Sequence, residues 1–156
     1  MIEARARPPR RTDRRRVLGA LGAGCCLLVL RPALATPAEL QAALRERFGA
    51  APITRGRVAI VMPVLAESGN VVPVAVRVDS PMTADDHVTG IHLFAEKNQL
   101  PEVLDIRLGP WNGKAEVASR IRLATSQQIL AVAVMSDGSI WSGATEVEVT
   151  VSGCGW

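Results

Sequence analysis

From Arg57 onward the chain is a run of short apolar and alternating segments broken by turn residues. This pattern constrains the fold more than any other feature. "RVAIVMPV" and "NVVPVAVRVDS" flank "LAESGN", which reads as a turn cluster, so an antiparallel pair is expected there. Pro63 and Pro73 inside these runs predict edge positions or bulges, because proline cannot donate to a ladder. "SPMTADD" reads as a loop. "HVTGIHLFAE", "EVLDIRLG", "KAEVASRIRLA" and "QQILAVAVMS" read as further strands, separated by "KNQLP", "PWNG" and a thin break at Thr125-Ser126. Ser136-Asp137-Gly138-Ser139 predicts a tight turn into "IWSG". The last strand, "TEVEVTVS", places Val147, Val149 and Val151 on one face and Glu146, Glu148 and Thr150 on the other. Seven or eight short strands at regular spacing predict an all-β domain over residues 36–151. The expected form is an antiparallel, immunoglobulin-like β-sandwich.

One helix precedes the strands. In "TPAELQAALRERFG", Thr36 can cap, Pro37 suits the first helical position and Glu39 completes a capping box. Leu40, Ala43, Leu44 and Phe48 recur at helical spacing and form one apolar stripe, and Gly49 ends it.

The first 35 residues differ in kind. Arg5, Arg7, Arg10, Arg11, Arg14, Arg15, Arg16 and Arg31 face only Glu3 and Asp13, and an apolar run follows from Val17 to Leu30. Ala33-Leu34-Ala35 is an A-x-A cleavage signature, so the segment reads as a bacterial signal peptide cut after Ala35. Arg14 and Arg15, followed by Arg16-Val17-Leu18, fit the twin-arginine export pattern, with Asp13 where Ser or Thr is usual. The apolar run is shorter than the roughly 20 residues that a spanning helix needs, so no membrane attachment is expected after cleavage. Eight of the 18 basic residues and two of the 15 acidic ones leave with this segment, so the remainder carries formal charge −3. The basic balance belongs to the export signal and gives no support for nucleic-acid binding.

Cys25 and Cys26 also leave with the signal, which makes Cys154 the lone cysteine of the mature chain. An odd cysteine in an exported protein points to a reactive thiol or an intermolecular bond. It stands in "VTVSGCGW", where Gly153 and Gly155 remove Cβ atoms on both sides and so free the backbone and open the sulfur. Residues 152–156 are expected to form a mobile arm that reaches roughly 15 Å beyond the last strand. No base or helix N-terminus is predicted beside the thiol, so a pKa near or above about 8.5 is expected. That suits a carrier activated by a partner better than an autonomous nucleophile. The bland reading is an incidental cysteine in a frayed tail.

Other candidates are weaker. His87 and His92, five residues apart on a strand, face opposite sides and make no joint metal face, so no metal is expected. Asp85-Asp86 reads as a solvated pair. Trp111 and Trp141 read as core, the former also as a candidate interface anchor. Arg120 and Arg122 share one strand face, either solvated or one side of a partner interface. No G-x-S-x-G, H-E-x-x-H or phosphate-loop motif occurs.

"AESGNVVPVAVRVDSPMT", "IHLFAEKNQLPEV", "SRIRLATSQQILAVAVMSDGS" and "VTVSGCGW", in this order, resemble the SoxY family, sulfur-carrier subunits of the periplasmic thiosulfate-oxidising Sox system. The resemblance runs from about Pro37 to Gly155. It implies a carrier that is not itself an enzyme and has no cofactor beyond a sulfur intermediate held covalently on Cys154. It further implies a heterodimer with a SoxZ-like subunit. Transient partners would be the haem enzyme SoxAX, the sulfate-releasing hydrolase SoxB and, where present, a sulfur dehydrogenase. Gly153 and Gly155 match arm glycines of the family. Ser152 stands where a first arm glycine is expected, and Trp156 replaces the last one. The second departure leaves open a divergent carrier for other enzymes. Two further classes compete: a peroxidase-type thiol-redox protein, which would need a base or resolving cysteine, and a structural immunoglobulin-like module with an idle tail.

Overall fold

The computed structural model describes residues 37–153. The expected signal peptide with Arg14, Arg15, Ala33 and Ala35, the cap at Thr36, and Cys154, Gly155 and Trp156 lie outside the described residues.

Helix α1 (Pro37–Phe48) is followed by nine strands: β1 (Ile53–Arg55), β2 (Val58–Val61), β3 (Leu65–Ser68), β4 (Val72–Val78), β5 (Val88–Ala95), β6 (Glu102–Arg107), β7 (Glu116–Ile121), β8 (Gln127–Met135) and β9 (Ile140–Val151). The large sheet has the order β1-β9-β8-β5-β6, with β3 also paired to β9, and the small sheet has the order β2-β4-β7. This is the two-sheet, immunoglobulin-like sandwich with one short helix that the strand pattern predicts.

Alternation decides which residue faces what. On β4, Val72, Val74, Val76 and Val78 point inward, while Pro73, Ala75 and Arg77 point outward. On β5 both sets are buried. Ile91, Leu93 and Ala95 enter the core between the sheets, while Phe94 packs with Leu40 and Leu44 of α1 on the other side. β8 does the same, with Ile129, Ala131 and Ala133 inside and Val132 against the helix. The near-continuous apolar runs "IHLFA" and "ILAVAVM" are the signature of strands covered on both faces. The helix is their second cover, and its apolar stripe is the counterpart. Burying each of these larger side chains contributes about 1.5–3 kcal/mol.

Three expectations need correction. "LAES" is strand β3 rather than part of a turn, and it runs parallel to β9 with Leu65 opposite Glu148 and Ser68 opposite Val151. β1 was not foreseen, and it too runs parallel to β9, so the large sheet is mixed rather than purely antiparallel. Both are short segments whose pairing comes from tertiary contact with β9, which local pattern does not encode. Trp111 is 84% exposed in a 3-10 turn and is not core. Trp141 is half-buried at the core margin, with the Arg57 guanidinium 5.6 Å from its ring centroid. The β2–β4 pair is antiparallel as expected. β2 pairs only with Ala75–Val78, so at Pro73 strand β4 has a neighbour on one side alone, where a missing N–H donor is tolerated.

Candidate functional site

The end of β9 is held by a small set of backbone bonds. Gly69 N–H donates to Val151 O at 2.8 Å, Leu123 N–H donates to Gly69 O at 2.8 Å, and Gly153 N–H donates to Leu123 O at 3.0 Å. The junction ties β9 of the large sheet to the β3–β4 turn and to the segment after β7 in the small sheet. This pedestal holds the backbone at Gly153, the last of the described residues.

Two glycines make the junction possible. A Cβ on Gly69 would collide with Leu123 O and lie 2.7 Å from Gly153 N, and a Cβ on Gly153 would collide with the Gly69 carbonyl and Asn70 N. Gly153 was expected for freedom of motion. In the structure it is a close-approach glycine, pinned by a hydrogen bond, and the backbone up to it belongs to the domain.

Buried polar side chains brace the Leu123 side. Asn98 Nδ2 donates to Arg122 O at 2.8 Å and Asn98 Oδ1 accepts from Ala124 N–H at 2.9 Å, so one amide grips the residues on both sides of Leu123. Gln127 Nε2 donates to Asn98 Oδ1 at 3.0 Å, and Gln127 Oε1 accepts from Lys97 N–H at 2.7 Å. Asn98 and Gln127 are both buried, so each lost bond would leave an unpaired polar group. Ser126 Oγ accepts from Val149 N–H at 2.9 Å and steadies β9 just before its end. Sequence reading missed this bracing because "KNQLP" looks like any polar loop. The available signal was Asn98 with Gln127, two amides bordering apolar strands.

A second cluster lies on the helix side of the large sheet. His92 Nδ1 lies 3.0 Å from Glu102 Oε1 and 3.4 Å from Asp105 Oδ1. These three side chains could offer a metal one ligand atom each. The Arg47 guanidinium bonds Asp105 and lies 3.7 Å from Glu102, so a cation of the chain already faces both carboxylates. Phe48 meets the His92 ring edge-on at 5.2 Å. The arrangement docks the end of α1 onto β5 and β6. The spacing of His87 and His92 gave no hint of it, because the partners come from the neighbouring strand. His87, just before β5, instead contacts Thr83 O through Nδ1 at 3.0 Å. Arg120 and Arg122 are exposed, with no ion pair among the described residues.

The model of the family described as "Sulfur oxidation protein SoxY" matches residues 44–154. The sulfur carrier protein SoxY from Chlorobium limicola f thiosulfatophilum has a similar solved structure, with TM-score 0.62 and 30% identity over 72% of this chain and 92% of that one. Superoxide reductase (neelaredoxin) from Ignicoccus hospitalis aligns with TM-score 0.53 and 18% identity over 73% of this chain and 92% of that one. Superoxide reductase from Nanoarchaeum equitans aligns with TM-score 0.51 and 13% identity over 62% and 100%. These last two likenesses concern the fold alone. No curated protein sequence matches the chain. The family match spans the sandwich, includes the glycine junction and reaches Cys154, and on that ground the chain belongs to the SoxY family of sulfur oxidation proteins.

Proposed function

We propose that this protein carries sulfur intermediates of thiosulfate oxidation covalently on Cys154 and presents them to Sox enzymes in the periplasm. The observation that carries the reading is the family match extending to Cys154, one residue beyond the braced Gly153. A carrier needs a firm base and a reachable thiol. The Gly69–Leu123–Gly153 junction supports the first, and Gly155, which lacks a Cβ on the far side of Cys154, supports the second.

The chemistry asks little of the carrier itself. Conjugation joins the outer sulfur of thiosulfate to Cys154 Sγ, with loss of the thiol proton and of two electrons to an acceptor, the role assigned to haem-bearing SoxAX. Water then cleaves the S–SO₃ bond under SoxB, releasing sulfate and leaving a sulfane sulfur on the cysteine. The chain is accordingly a substrate-bearing protein and not an enzyme. It works as a heterodimer with a SoxZ-like subunit and reaches the periplasm by the twin-arginine route with cleavage after Ala35. Trp156 in place of an arm glycine favours a second reading, a carrier tuned to other partner enzymes.

Cys154→Ser tests the proposal. Thiosulfate-dependent turnover is expected to fall to background while the circular dichroism spectrum and melting temperature stay unchanged. Normal turnover in that variant contradicts the carrier role. Co-expression with a SoxZ-like subunit should yield a co-purifying heterodimer, and two separate monomers would contradict the pairing.

A further inference from the structure

An irregularity in the β5–β6 ladder gathers three side chains that can ligate a metal. His92 of β5 stands directly opposite Asp105 of β6. Glu102 is three residues from Asp105, so in a regular strand the two would point to opposite faces. The register shifts between Leu93 and Phe94, where Phe94 pairs with Glu102 and Val103 is left without a partner. This bulge turns Glu102 onto the face that carries His92 and Asp105. Each side chain then offers one ligand atom, and the three atoms lie within 4.8 Å of one another. His92 Nδ1 is 3.0 Å from Glu102 Oε1 and 3.4 Å from Asp105 Oδ1. His92 is buried, and a cavity of about 540 Å³ opens beside it and Asp105, with Phe48, Thr89, Gly90 and Arg107 on its wall.

We propose that His92, Glu102 and Asp105 form a site for one divalent first-row transition ion, zinc(II) by its ligand set, with water from the cavity completing the coordination. Spacing permits it. Bonds of about 2.0–2.2 Å at tetrahedral angles place ligand atoms about 3.3–3.6 Å apart, so the side chains need to move only slightly. Chemistry favours it as well. One imidazole with two carboxylates suits zinc, whereas magnesium and calcium take oxygen ligands. Three protein ligands leave a position open for an exchangeable water. Arg47 does not close the site. It bonds Asp105 through Oδ2, whereas Oδ1 faces His92, and its Nε is 3.7 Å from Glu102 Oε1, too far for a hydrogen bond. With the ion bound, Arg47 keeps Oδ2 and orients the Asp105 carboxylate. The ion takes the Nδ1 lone pair, so the ring proton resides on Nε2. Gly90 leaves room at that nitrogen, since a Cβ there would lie 3.2 Å from it. The proposal does not depend on what the Cys154 thiol carries.

The test is equilibrium dialysis of zinc(II), with cobalt(II) as a spectroscopic probe, against the untagged, EDTA-treated full chain. The parent carries Cys25→Ser, Cys26→Ser and Cys154→Ser, which removes every thiol as a rival ligand. One equivalent of zinc is expected to bind, and cobalt should show the visible bands of a low-coordinate nitrogen and oxygen site. His92→Gln, Glu102→Gln and Asp105→Asn should each weaken zinc binding at least about tenfold, since loss of a ligand costs no less than loss of its outer partner. His87→Gln, at the chain's other histidine, should leave binding unchanged. Zinc should raise the melting temperature of the parent but not of Asp105→Asn, an exposed position that decides the matter even where His92→Gln unfolds the chain. The absence of saturable binding overturns the proposal, as does parent-like binding in Glu102→Gln and Asp105→Asn. Equal weakening by His87→Gln marks adventitious surface binding and overturns it too. Binding that requires the cysteines assigns the ion to a thiol and has the same consequence.

Discussion

Gly69 and Gly153 face each other across a gap too small for a methyl group, with Leu123 O beside them. Gly69→Ala therefore has to push backbone against backbone. It is expected to lower stability by about 1–3 kcal/mol in urea unfolding, the usual cost of overpacking. A midpoint equal to wild type would contradict the close approach. Asn98→Ala removes both grips on the Leu123 segment and leaves a buried carbonyl and N–H unpaired, with an expected loss of about 1–3 kcal/mol in the same assay. A loss well under 0.5 kcal/mol would show that water replaces the amide. Both residues were unremarked in the sequence, because a glycine in a turn and an asparagine in a loop need no special reason. Cys154 could be singled out by counting cysteines and Gly153 by adjacency. The contact that makes Gly153 obligatory joins residues more than 80 positions apart, and no local pattern records it.

At the level of elements, α1 shows how burial and charge divide the work. Leu40 and Leu44 are buried against Phe94 and Val132, while Arg47 bridges to Glu102 and Asp105 at the half-exposed rim. Leu44→Ala should cost about 2–4 kcal/mol through lost burial and a cavity. Arg47→Ala should cost no more than about 1 kcal/mol, since exposed pairs are screened. Thermal or urea unfolding of the two variants checks the ranking, and a larger loss for Arg47→Ala would reverse it. β2 and β4 to β8 were legible from alternation and turn residues, whereas β9 was read in two pieces, "IWSG" and "TEVEVTVS", that the structure joins through Ala144 into one strand. β1 and β3 were not, since three or four residues with one or two half-buried positions look like loop until β9 supplies their ladder. The two-sided burial of β5 and β8 was written in their unbroken apolar runs, but the helix as their cover becomes visible only in three dimensions.

Residues 37–153 form a two-sheet sandwich in which a glycine junction fixes the end of β9. The two sheets meet at the glycine junction, so movement of the large sheet against the small one would strain the end of β9. The sandwich and its carrier family were readable from strand pattern and ordered motifs, because period and turn chemistry reflect backbone geometry directly. The pedestal was not, because it is made of backbone groups that every residue possesses. The most direct measurement is intact and peptide mass spectrometry of the protein taken from thiosulfate-grown cells, before and after reductant. The carrier account predicts reductant-labile additions of thiosulfonate or sulfur atoms confined to the peptide containing Cys154. An unmodified thiol under active thiosulfate oxidation would contradict it.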